Sequence, residues 1–348
     1  MISGVLKPRF KSGALEQRTA FRKELLEWFA LTGRDYPWRR TQDPYEILIS
    51  EVMLQQTQIA TVLGKGYYTR FLETFPDMEA LVAASDEQLL KAWEGLGYYR
   101  RVRMLRETAR AVIAQHGGKF PTELEALMKL PGVGRYTAGA LRAFASDLPA
   151  VVVDGNVLRV LSRVMDYSNP VDSTAGQKQL WEWAEALADP KQSRKYHSAI
   201  MELGQKICRP GVPDCLGCPV ARFCKTHEPE RLPIKRQKSV ITPLDEHALW
   251  LRDQTGRLLL HRESGKRREG LWKLPTRPAT EISALPILDE SGYTITRYRV
   301  TLYVHDAAGL NLDSPTMAGE VWQDAATVLT LAMSSPFRRV IARLLDEI

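Results

Sequence analysis

The chain has 348 residues, of which 44% are hydrophobic and 26% are charged. This composition is ordinary for a globular protein and excludes a fibrous or intrinsically disordered chain. No apolar run approaches the roughly 20 residues that span a bilayer, and no apolar stretch follows the basic N-terminal residues, so we expect a cytoplasmic protein without a secretory signal. The formal net charge of +7 is compatible with a polyanionic partner such as nucleic acid.

Helical periodicity dominates the first two thirds of the chain. Apolar residues recur at helical spacing over residues 14–31 and 44–62. The capping-box patterns that start at Ser85 and Thr122 predict two further helix starts. Later helices are predicted at residues 135–146, 154–166, 173–188 and 194–207. The sequence therefore predicts an all-α domain over residues 1–225.

The pattern changes after residue 225. Residues 226–244 contain three prolines and several charges with little periodicity, which predicts a linker. Beyond it, a turn signal at residues 253–256 predicts a hairpin, and residues 294–307 and 318–324 are each predicted to form a strand. A closing amphipathic helix is predicted to begin at Ser335-Pro336. These patterns predict a separate α+β domain over residues 245–348.

All four cysteines lie in one short segment with the spacing C-x6-C-x2-C-x5-C. Disulfides are not expected in a reducing compartment. Four thiolates can bind either a tetrahedral zinc ion or an iron–sulfur cluster, so the spacing leaves both open, beside four unliganded thiols. The predicted metal ligands are Cys208, Cys215, Cys218 and Cys224.

A glycine-containing turn lies between two predicted helices, where residues 130–135 read LPGVGR. Its two glycines allow a tight turn with positive φ, which leaves backbone amides exposed beside a helix N-terminus. Such a turn is either an ordinary corner between helices or an anion site suited to a DNA phosphate. The predicted phosphate-contacting residues are Gly132, Val133, Gly134 and Arg135.

The turn, the segment VVVDGNV at residues 151–157 and the cysteine spacing together resemble the endonuclease III superfamily of DNA glycosylases. Within it, SEVMLQQTQ at residues 50–58, PWR at 37–39 and GLGYY at 95–99 are similar to the adenine DNA glycosylases of the MutY family. This resemblance implies a mostly α helix–hairpin–helix glycosylase fold, one 4Fe-4S cluster in preference to zinc, and a nudix-like C-terminal α+β domain. It also implies a monomeric DNA N-glycosylase of base excision repair that acts on double-stranded DNA, on adenine opposite 8-oxoguanine or guanine.

Two carboxyl groups suit the cleavage of an N-glycosidic bond, one as an acid near the base and one as a carboxylate near the sugar cation. Glu51 lies inside an apolar helix, where burial would raise its pKa, and Asp154 follows an apolar run at a predicted helix start. Taken alone, Glu51 would be a solvated helical glutamate and Asp154 an N-cap. By resemblance, Glu51 protonates adenine at N7 and helps to activate water, whereas Asp154 stabilises the sugar cation or bonds to it transiently. The predicted catalytic residues are Glu51, Tyr136, Asp154 and Asn156.

The residue after the hairpin separates two reaction types. Strand-cleaving relatives carry a lysine there, which attacks the sugar as an amine, whereas this chain has Tyr136, and a phenol cannot form a Schiff base. We therefore expect a monofunctional glycosylase in which Tyr136 positions Asp154 and the sugar. By resemblance, the residues that pry the base stack or line the adenine pocket are Arg34, Trp38, Arg39, Leu54, Gln55, Gln56 and Tyr98. The basic run Arg100, Arg101, Arg103 and Arg106 is expected to contact phosphates.

Two departures from the family pattern concern specificity. Ser198 stands where the family has a Glu or Gln that contacts the adenine, which predicts altered pocket selectivity. Val300-Thr301-Leu302 replaces the Phe-Ser-His that senses 8-oxoguanine, which predicts weaker discrimination or a reader built from Thr301, Tyr303 or His305. The glutamates of a catalytic nudix motif are missing. The alternatives are a related glycosylase with another target base and a non-catalytic DNA-lesion binding protein.

Overall fold

The computed structural model describes residues 13–236, 240–265, 268–308 and 317–346. The chain packs as two compact units, one formed by Met1–Glu51 and Ala111–Gln237, the other by Val52–Arg110 and Lys238–Ile348. The helices before the cysteine segment are α1 Arg18–Thr32, α2 Pro37–Arg40, α3 Pro44–Leu54, α4 Ile59–Gly64, α5 Tyr67–Thr74, α6 Met78–Ala83, α7 Asp86–Ala92, α8 Arg100–His116, α9 Leu124–Lys129, α10 Arg135–Phe144, α11 Gly155–Val164, α12 Thr174–Leu187 and α13 Ser193–Lys206.

The all-α prediction for this part is confirmed, since the described residues between 13 and 236 contain no strand. The capping box at Ser85 is also confirmed, because Ser85 Oγ accepts from the Gln88 amide at 3.2 Å and Gln88 Oε1 accepts from the Ser85 amide at 2.9 Å. The capping box predicted at Thr122 is wrong, since Glu123 is the N-cap of α9 and makes no side-chain capping bond.

The single helix predicted at residues 44–62 is wrong as well. Helix α3 ends at Leu54 and α4 begins at Ile59. Between them Gln56 has a φ of 58°, a left-handed conformation that an α-helix of L-residues cannot continue. The break places Gln55 and Gln56 in a turn.

The first unit is built around the apolar stripes of four helices. Helix α11 buries residues at helical spacing, and α1, α12 and α13 pack their own buried residues against the same core. Phe21 of α1 meets Phe223 of the cysteine segment edge to face, with ring centroids 5.7 Å apart. The cysteine segment is therefore part of this core.

The first part of the predicted linker packs on the first unit. Leu232 is buried, and its carbonyl accepts a hydrogen bond of 3.0 Å from Arg163 Nε. The amide of Val171 donates to the carbonyl of Ile234 at 2.9 Å. The limits of the domains stay a prediction.

The C-terminal region is α+β, as predicted. It contains β1 Thr242–Trp250, β2 Leu258–Arg262, β3 Trp272–Lys273, β4 Thr276–Arg277, α14 Ala279–Ile282, β5 Ile287–Ile295, β6 Tyr298–Asp306, β7 Glu320–Gln323, α15 Ala325–Thr330 and α16 Ser335–Asp346. One sheet has the order β4-β1-β6-β5 and the other the order β3-β2-β7. Helix α16 buries Phe337, Val340, Ile341 and Leu344 in the same core as strand residues, which confirms the closing helix.

One strand prediction needs correction. The strand predicted at residues 294–307 begins with the last two residues of β5, turns at Thr296, where φ is 53°, and continues as the antiparallel strand β6. The hairpin predicted around residues 253–256 is confirmed, since Arg252 and Leu258 form an antiparallel bridge and Gly256 turns the chain with a φ of 82°, although β1 and β2 belong to different sheets. None of the helices in the described part of the chain combines the length and apolar character that a membrane crossing requires.

Candidate active site

Glu51 lies in α3 and is buried, with 7% of its surface exposed. Tyr136, in the first turn of α10, donates a hydrogen bond of 2.7 Å from its hydroxyl to Glu51 Oε2. This corrects the predicted role of Tyr136, whose hydrogen bond goes to Glu51 and not to Asp154. Because Oε2 accepts from the phenol, Oε1 is the oxygen that can carry a transferable proton.

Asp154 is the N-cap of α11, and each of its two carboxylate oxygens accepts a hydrogen bond. Oδ1 accepts from the Val157 amide at 2.7 Å, and Oδ2 accepts from the Asn156 side-chain amide at 2.7 Å. The Asn156 carbonyl oxygen accepts in turn from Arg159 Nη2 at 2.8 Å, so the amide group is held in one orientation. The carboxylate is thereby preorganised, and the N-cap role and the predicted catalytic role coexist in one residue.

Close packing behind Asn156 depends on a glycine of α13. A Cβ built at Gly204 would lie 2.7 Å from the Cβ of Asn156, so a side chain at this position would push α13 away from α11. The carbonyl of Gly204 accepts from Arg159 Nη2 at 2.8 Å. The backbone of α13 therefore supports the group that orients Asp154.

The two acids share a buried, electrostatically coupled environment. Burial raises the pKa of Glu51 to about 7; the hydrogen bond from Tyr136 opposes this rise and the negative charge of Asp154 adds to it. Burial also raises the pKa of Asp154 above its ordinary value of 3.8, against the hydrogen bonds from Val157 and Asn156. The pair can therefore supply a proton and a carboxylate near neutral pH, which is the pattern of an acid–base site.

The predicted pocket arginines converge on an acid that sequence reasoning missed. Glu202 of α13 has no exposed side-chain surface, and its oxygens pair with Arg34 Nε at 2.6 Å and Arg39 Nη2 at 3.0 Å. Trp38 stacks on Tyr36 with centroids 5.2 Å apart, and the guanidinium of Arg39 lies 4.8 Å from the Tyr36 ring. These residues form one aromatic and cationic cluster. The only signal for Glu202 was an acid within the apolar stripe of α13.

Ser198 lies on the same helix, one turn before Glu202. It is buried, with 7% of its surface exposed, and its carbonyl accepts from Arg39 Nη2 at 3.5 Å. The structure thus places the departure from the family pattern beside the predicted pocket arginine.

The predicted wedge residues belong to the second unit. Tyr98 lies in the loop between α7 and α8, with 53% of its surface exposed and a φ of 47°. A left-handed conformation at a non-glycine residue stores strain, and such strain concentrates at functional sites. Gln55 and Gln56 lie in the turn after α3, and Leu54 is the last residue of that helix.

Arg101 was predicted to contact DNA phosphates, but in the structure it binds backbone carbonyls of the protein. Its guanidinium is turned inward, where Nη1 donates to the carbonyls of Val52 and Met53 and Nη2 donates to those of Leu96 and Gly97. Burial lowers its pKa to about 10. Arg101 therefore ties the end of α3 to the Tyr98 loop instead of facing solvent. Arg106 is also buried and pairs with Asp86, so two members of the run are structural.

The hairpin before α10 is present, although only one glycine needs its conformational freedom. Gly132 has a φ of 75°, whereas Gly134 is extended and forms the N-cap of α10. The positive φ predicted for Gly134 is thus wrong. Val133 is buried, and Arg135 lies with its guanidinium 4.0 Å from the centre of the Trp181 ring. The turn leaves the start of α10 as the candidate phosphate site.

The four cysteines are free thiols whose charges influence one another. Burial raises the pKa of Cys218 and Cys224 to about 12, with the neighbouring thiols of the segment adding to this rise and a backbone hydrogen bond opposing it. Arg163 Nη1 lies 3.4 Å from Cys208 Sγ. Within the described residues, no three His, Cys, Asp or Glu side chains form a group already arranged around a metal ion. The donor set, one exposed and three half-buried thiols on one short loop, suits a thiolate-ligated group.

One of the three residues predicted to contact 8-oxoguanine is buried in the C-terminal region. His305 is buried at 1% exposure, and its two ring nitrogens lie 2.9 Å from His247 Nδ1 and 3.1 Å from the Leu285 carbonyl. Thr301 and Tyr303 are partly exposed on β6, and Tyr303 stacks on His247 with centroids 4.9 Å apart. The burial of His305 contradicts its predicted contact with a base, and His247 stacks on both His305 and Tyr303.

Comparison with known proteins gives concordant results. Residues 49–186 match the model of the HhH-GPD superfamily base excision DNA repair protein. The adenine DNA glycosylase of Rattus norvegicus is 44% identical over 219 residues, which cover 60% of this chain and 42% of that protein. The chain thus spans less than half the length of this mammalian relative.

Two further proteins match over more of their own length. The adenine DNA glycosylase of Buchnera aphidicola subsp. Baizongia pistaciae is 33% identical over 257 residues, which cover 73% of this chain and 71% of that protein. A solved structure of a thermostable thymine-DNA glycosylase is 32% identical with a TM-score of 0.56, covering 61% of this chain and 97% of that one.

Proposed function

The chain belongs to the adenine DNA glycosylase family of the HhH-GPD superfamily, and on this premise we propose that it is a monofunctional DNA N-glycosylase that removes adenine opposite 8-oxoguanine or guanine. The observation that carries the proposal is the buried pair of Glu51 and Asp154, whose pKa values are both raised and whose carboxyls are held by Tyr136 and Asn156. Burying two ionisable groups costs stability, and a DNA-lesion binding protein without catalytic activity would gain nothing from it.

The proposed reaction begins with the adenine as leaving group. Glu51 Oε1 donates a proton to N7 of the base, which becomes a neutral leaving group as the C1′–N9 bond breaks and the bonding electrons move to the base. The hydrogen bond from Tyr136 fixes the carboxyl that donates this proton. The ionised Glu51 then accepts a proton from the water that attacks C1′, which restores the acid.

Asp154 acts on the sugar side of the bond. As the base leaves, positive charge develops on the sugar ring, and a fixed carboxylate in a buried site stabilises that charge without reorganising. The bonds from Val157 and Asn156 hold the carboxylate in place before the reaction starts. Tyr136 is a phenol, so the sugar does not form a Schiff base and the strand stays intact.

The proposed DNA contacts fall into three groups, which bind the phosphate backbone, the extruded adenine and the base stack. The hairpin residues 132–135 bind a backbone phosphate, Arg34, Trp38, Arg39 and Leu54 form the adenine pocket, and Gln55, Gln56 and Tyr98 enter the base stack. Extruding a base costs a few kcal/mol, which wedge and pocket contacts offset. Thr301, Tyr303 and His247 are the proposed surface toward 8-oxoguanine in a nudix-like C-terminal domain.

Cys208, Cys215, Cys218 and Cys224 would hold one 4Fe-4S cluster. Their four thiols influence one another electrostatically, and three of them, Cys208, Cys218 and Cys224, pack against the core of the first unit, which fits a thiolate-ligated cluster. When bound, the cluster cross-links the loop and so supports the helices around it. Iron and sulfide analysis of the purified chain tests this assignment against zinc.

The proposed function is tested with a panel of duplexes. Adenine is placed opposite 8-oxoguanine, guanine or cytosine, and separate duplexes carry a thymine mispair or thymine glycol. We expect free adenine from the first two and no strand cleavage before alkali treatment. Release of thymine instead would place the chain with thymine-directed relatives, and tight binding without release of any base would indicate a lesion-binding protein.

The raised pKa values predict a bell-shaped pH dependence of single-turnover excision. The rate is expected to fall as the pH rises through about 7, because Glu51 is protonated below that pKa and loses its proton above it. It is expected to fall on the acid side as well, at a pH above the 3.8 of an ordinary aspartate, because protonation removes the charge of Asp154. A rate that stays level from neutral to alkaline pH would exclude Glu51 as the acid.

A further inference from the structure

The loop that carries Tyr98 is held at both ends by one short segment of the C-terminal region. At its start, Glu94 Oε1 accepts from the Met333 amide at 3.3 Å and from Arg338 Nε at 2.8 Å. At its end, the Tyr99 hydroxyl donates to the Met333 carbonyl at 2.9 Å. Both backbone groups of Met333 are therefore used to bracket four residues, Gly95–Tyr98.

The bracketing segment is itself buried and hydrogen-bonded to a strand. Met333 has no exposed surface and belongs to the core of the C-terminal region. It is bridged to Trp272 of β3, whose amide donates to the carbonyl of Ala332 at 2.9 Å. A segment tied into a sheet and a core transmits a fixed position to whatever binds it.

Further contacts reinforce the same junction. Lys91 Nζ donates to the carbonyl of Leu329 at 3.1 Å while it pairs with Glu94 Oε2 at 2.7 Å. Arg103 donates to the carbonyl of Glu269. Tyr99 is buried at 5% exposure, whereas its neighbour Tyr98 is exposed at 53%. Tyr99 is thus anchored to the C-terminal region, whereas the adjacent Tyr98 is exposed to solvent in a strained conformation.

We propose that the C-terminal region positions the Tyr98 loop through Met333, and that Glu94 and Tyr99 are positioning residues for the insertion of Tyr98 into the base stack. This inference rests on the proposed function, in which Tyr98 meets the base opposite the adenine. Tyr98 carries the steric strain of a positive φ, and Gly95 and Gly97 lose conformational freedom when the loop is ordered, so the bonds at its two ends keep one conformation populated. The C-terminal region then contributes to selectivity through Tyr98 as well as through its own surface.

The test is a double-mutant cycle between Tyr99→Phe and Tyr98→Ala. Tyr99→Phe removes only the hydroxyl that binds Met333, and Tyr298→Phe is the matched control, since that hydroxyl accepts from Arg297 on an exposed hairpin. We expect Tyr99→Phe to raise the KM for the 8-oxoguanine mispair about fivefold, the worth of one hydrogen bond, with kcat and its pH profile unchanged. In the Tyr98→Ala background the same change should have no further effect, because the side chain that it positions is gone.

Equal effects of Tyr99→Phe with and without Tyr98, or no effect at all, would overturn the inference. Hydrogen exchange separates this failure from failure of the proposed function. The amides of Gly97 and Tyr98 are expected to exchange faster in Tyr99→Phe than in the wild type, whatever base the enzyme removes. Unchanged exchange refutes the positioning role, whereas a wild-type chain that releases no adenine refutes the function.

Discussion

Glu51→Gln is expected to lower single-turnover excision of adenine by roughly 10³-fold while leaving affinity for the mispaired duplex within a few fold. Glutamine keeps the size of the side chain and can still accept a hydrogen bond from Tyr136, but it has no proton to donate to the base. The measurement is quenched single-turnover kinetics, combined with a binding assay on a duplex that carries an uncleavable adenosine analogue.

Stability separates this effect from a folding defect. The raised pKa of Glu51 means that the folded state binds its proton more tightly than the unfolded chain does, so ionisation of Glu51 destabilises the protein as the pH rises from 4.5 toward about 7. Glutamine removes that penalty. Glu51→Gln is therefore expected to unfold at the same or a higher temperature than the wild type at alkaline pH.

The matched control is Glu73→Gln, the same chemical change at an exposed position on α5. It is expected to leave excision and unfolding unchanged. Substantial turnover by Glu51→Gln, or an equal loss in both variants, would contradict the assignment of Glu51 as the acid.

Features encoded by short-range patterns were predictable from the sequence. The buried stripe of α11 and the capping box at Ser85 depend on residues within two turns of one another, so the sequence displays them directly. The breaks at Gln56 and Thr296 were missed, because a non-glycine residue with positive φ is uncommon and leaves no mark in the periodicity. The pairing of β1 with β6 and of β2 with β7 was also not predicted, because it joins residues that are distant in the chain.

The sequence motifs identified candidate site residues, but they did not predict the hydrogen bonds between those residues. Glu51 and Asp154 were identified from motifs, whereas the bond from Tyr136 to Glu51 spans 85 positions and depends on how α3 packs against α10. Glu202 was missed and Arg101 was misjudged because charged residues are usually solvated, and only tertiary packing surrounds these two with partners. Burial of a charge is a property of the fold that a local pattern does not carry.

Asp154→Asn is expected to lower excision on the order of 10³-fold without unfolding α11, and it separates the proposed catalytic role of this residue from its role as an N-cap. Asparagine is as good an N-cap as aspartate, so the bond from the Val157 amide can persist while the negative charge is lost. If Asp154 were only a cap, the substitution would leave the rate of excision by the folded protein unchanged.

Asp77→Asn provides the matched control, because Asp77 is the N-cap of α6 and accepts from the Ala80 amide at 2.7 Å. Both variants make the same change at the same kind of helix position, and both are expected to keep the helix that the residue caps. Only Asp154→Asn removes a carboxylate that is buried beside Glu51, so only this variant should lose excision and shift the alkaline limb of the pH profile. Without the charge of Asp154, which raises the pKa of Glu51, that limb is expected to move to lower pH. A limb that stays in place would mean that the two carboxyls do not act on one another and do not form one site.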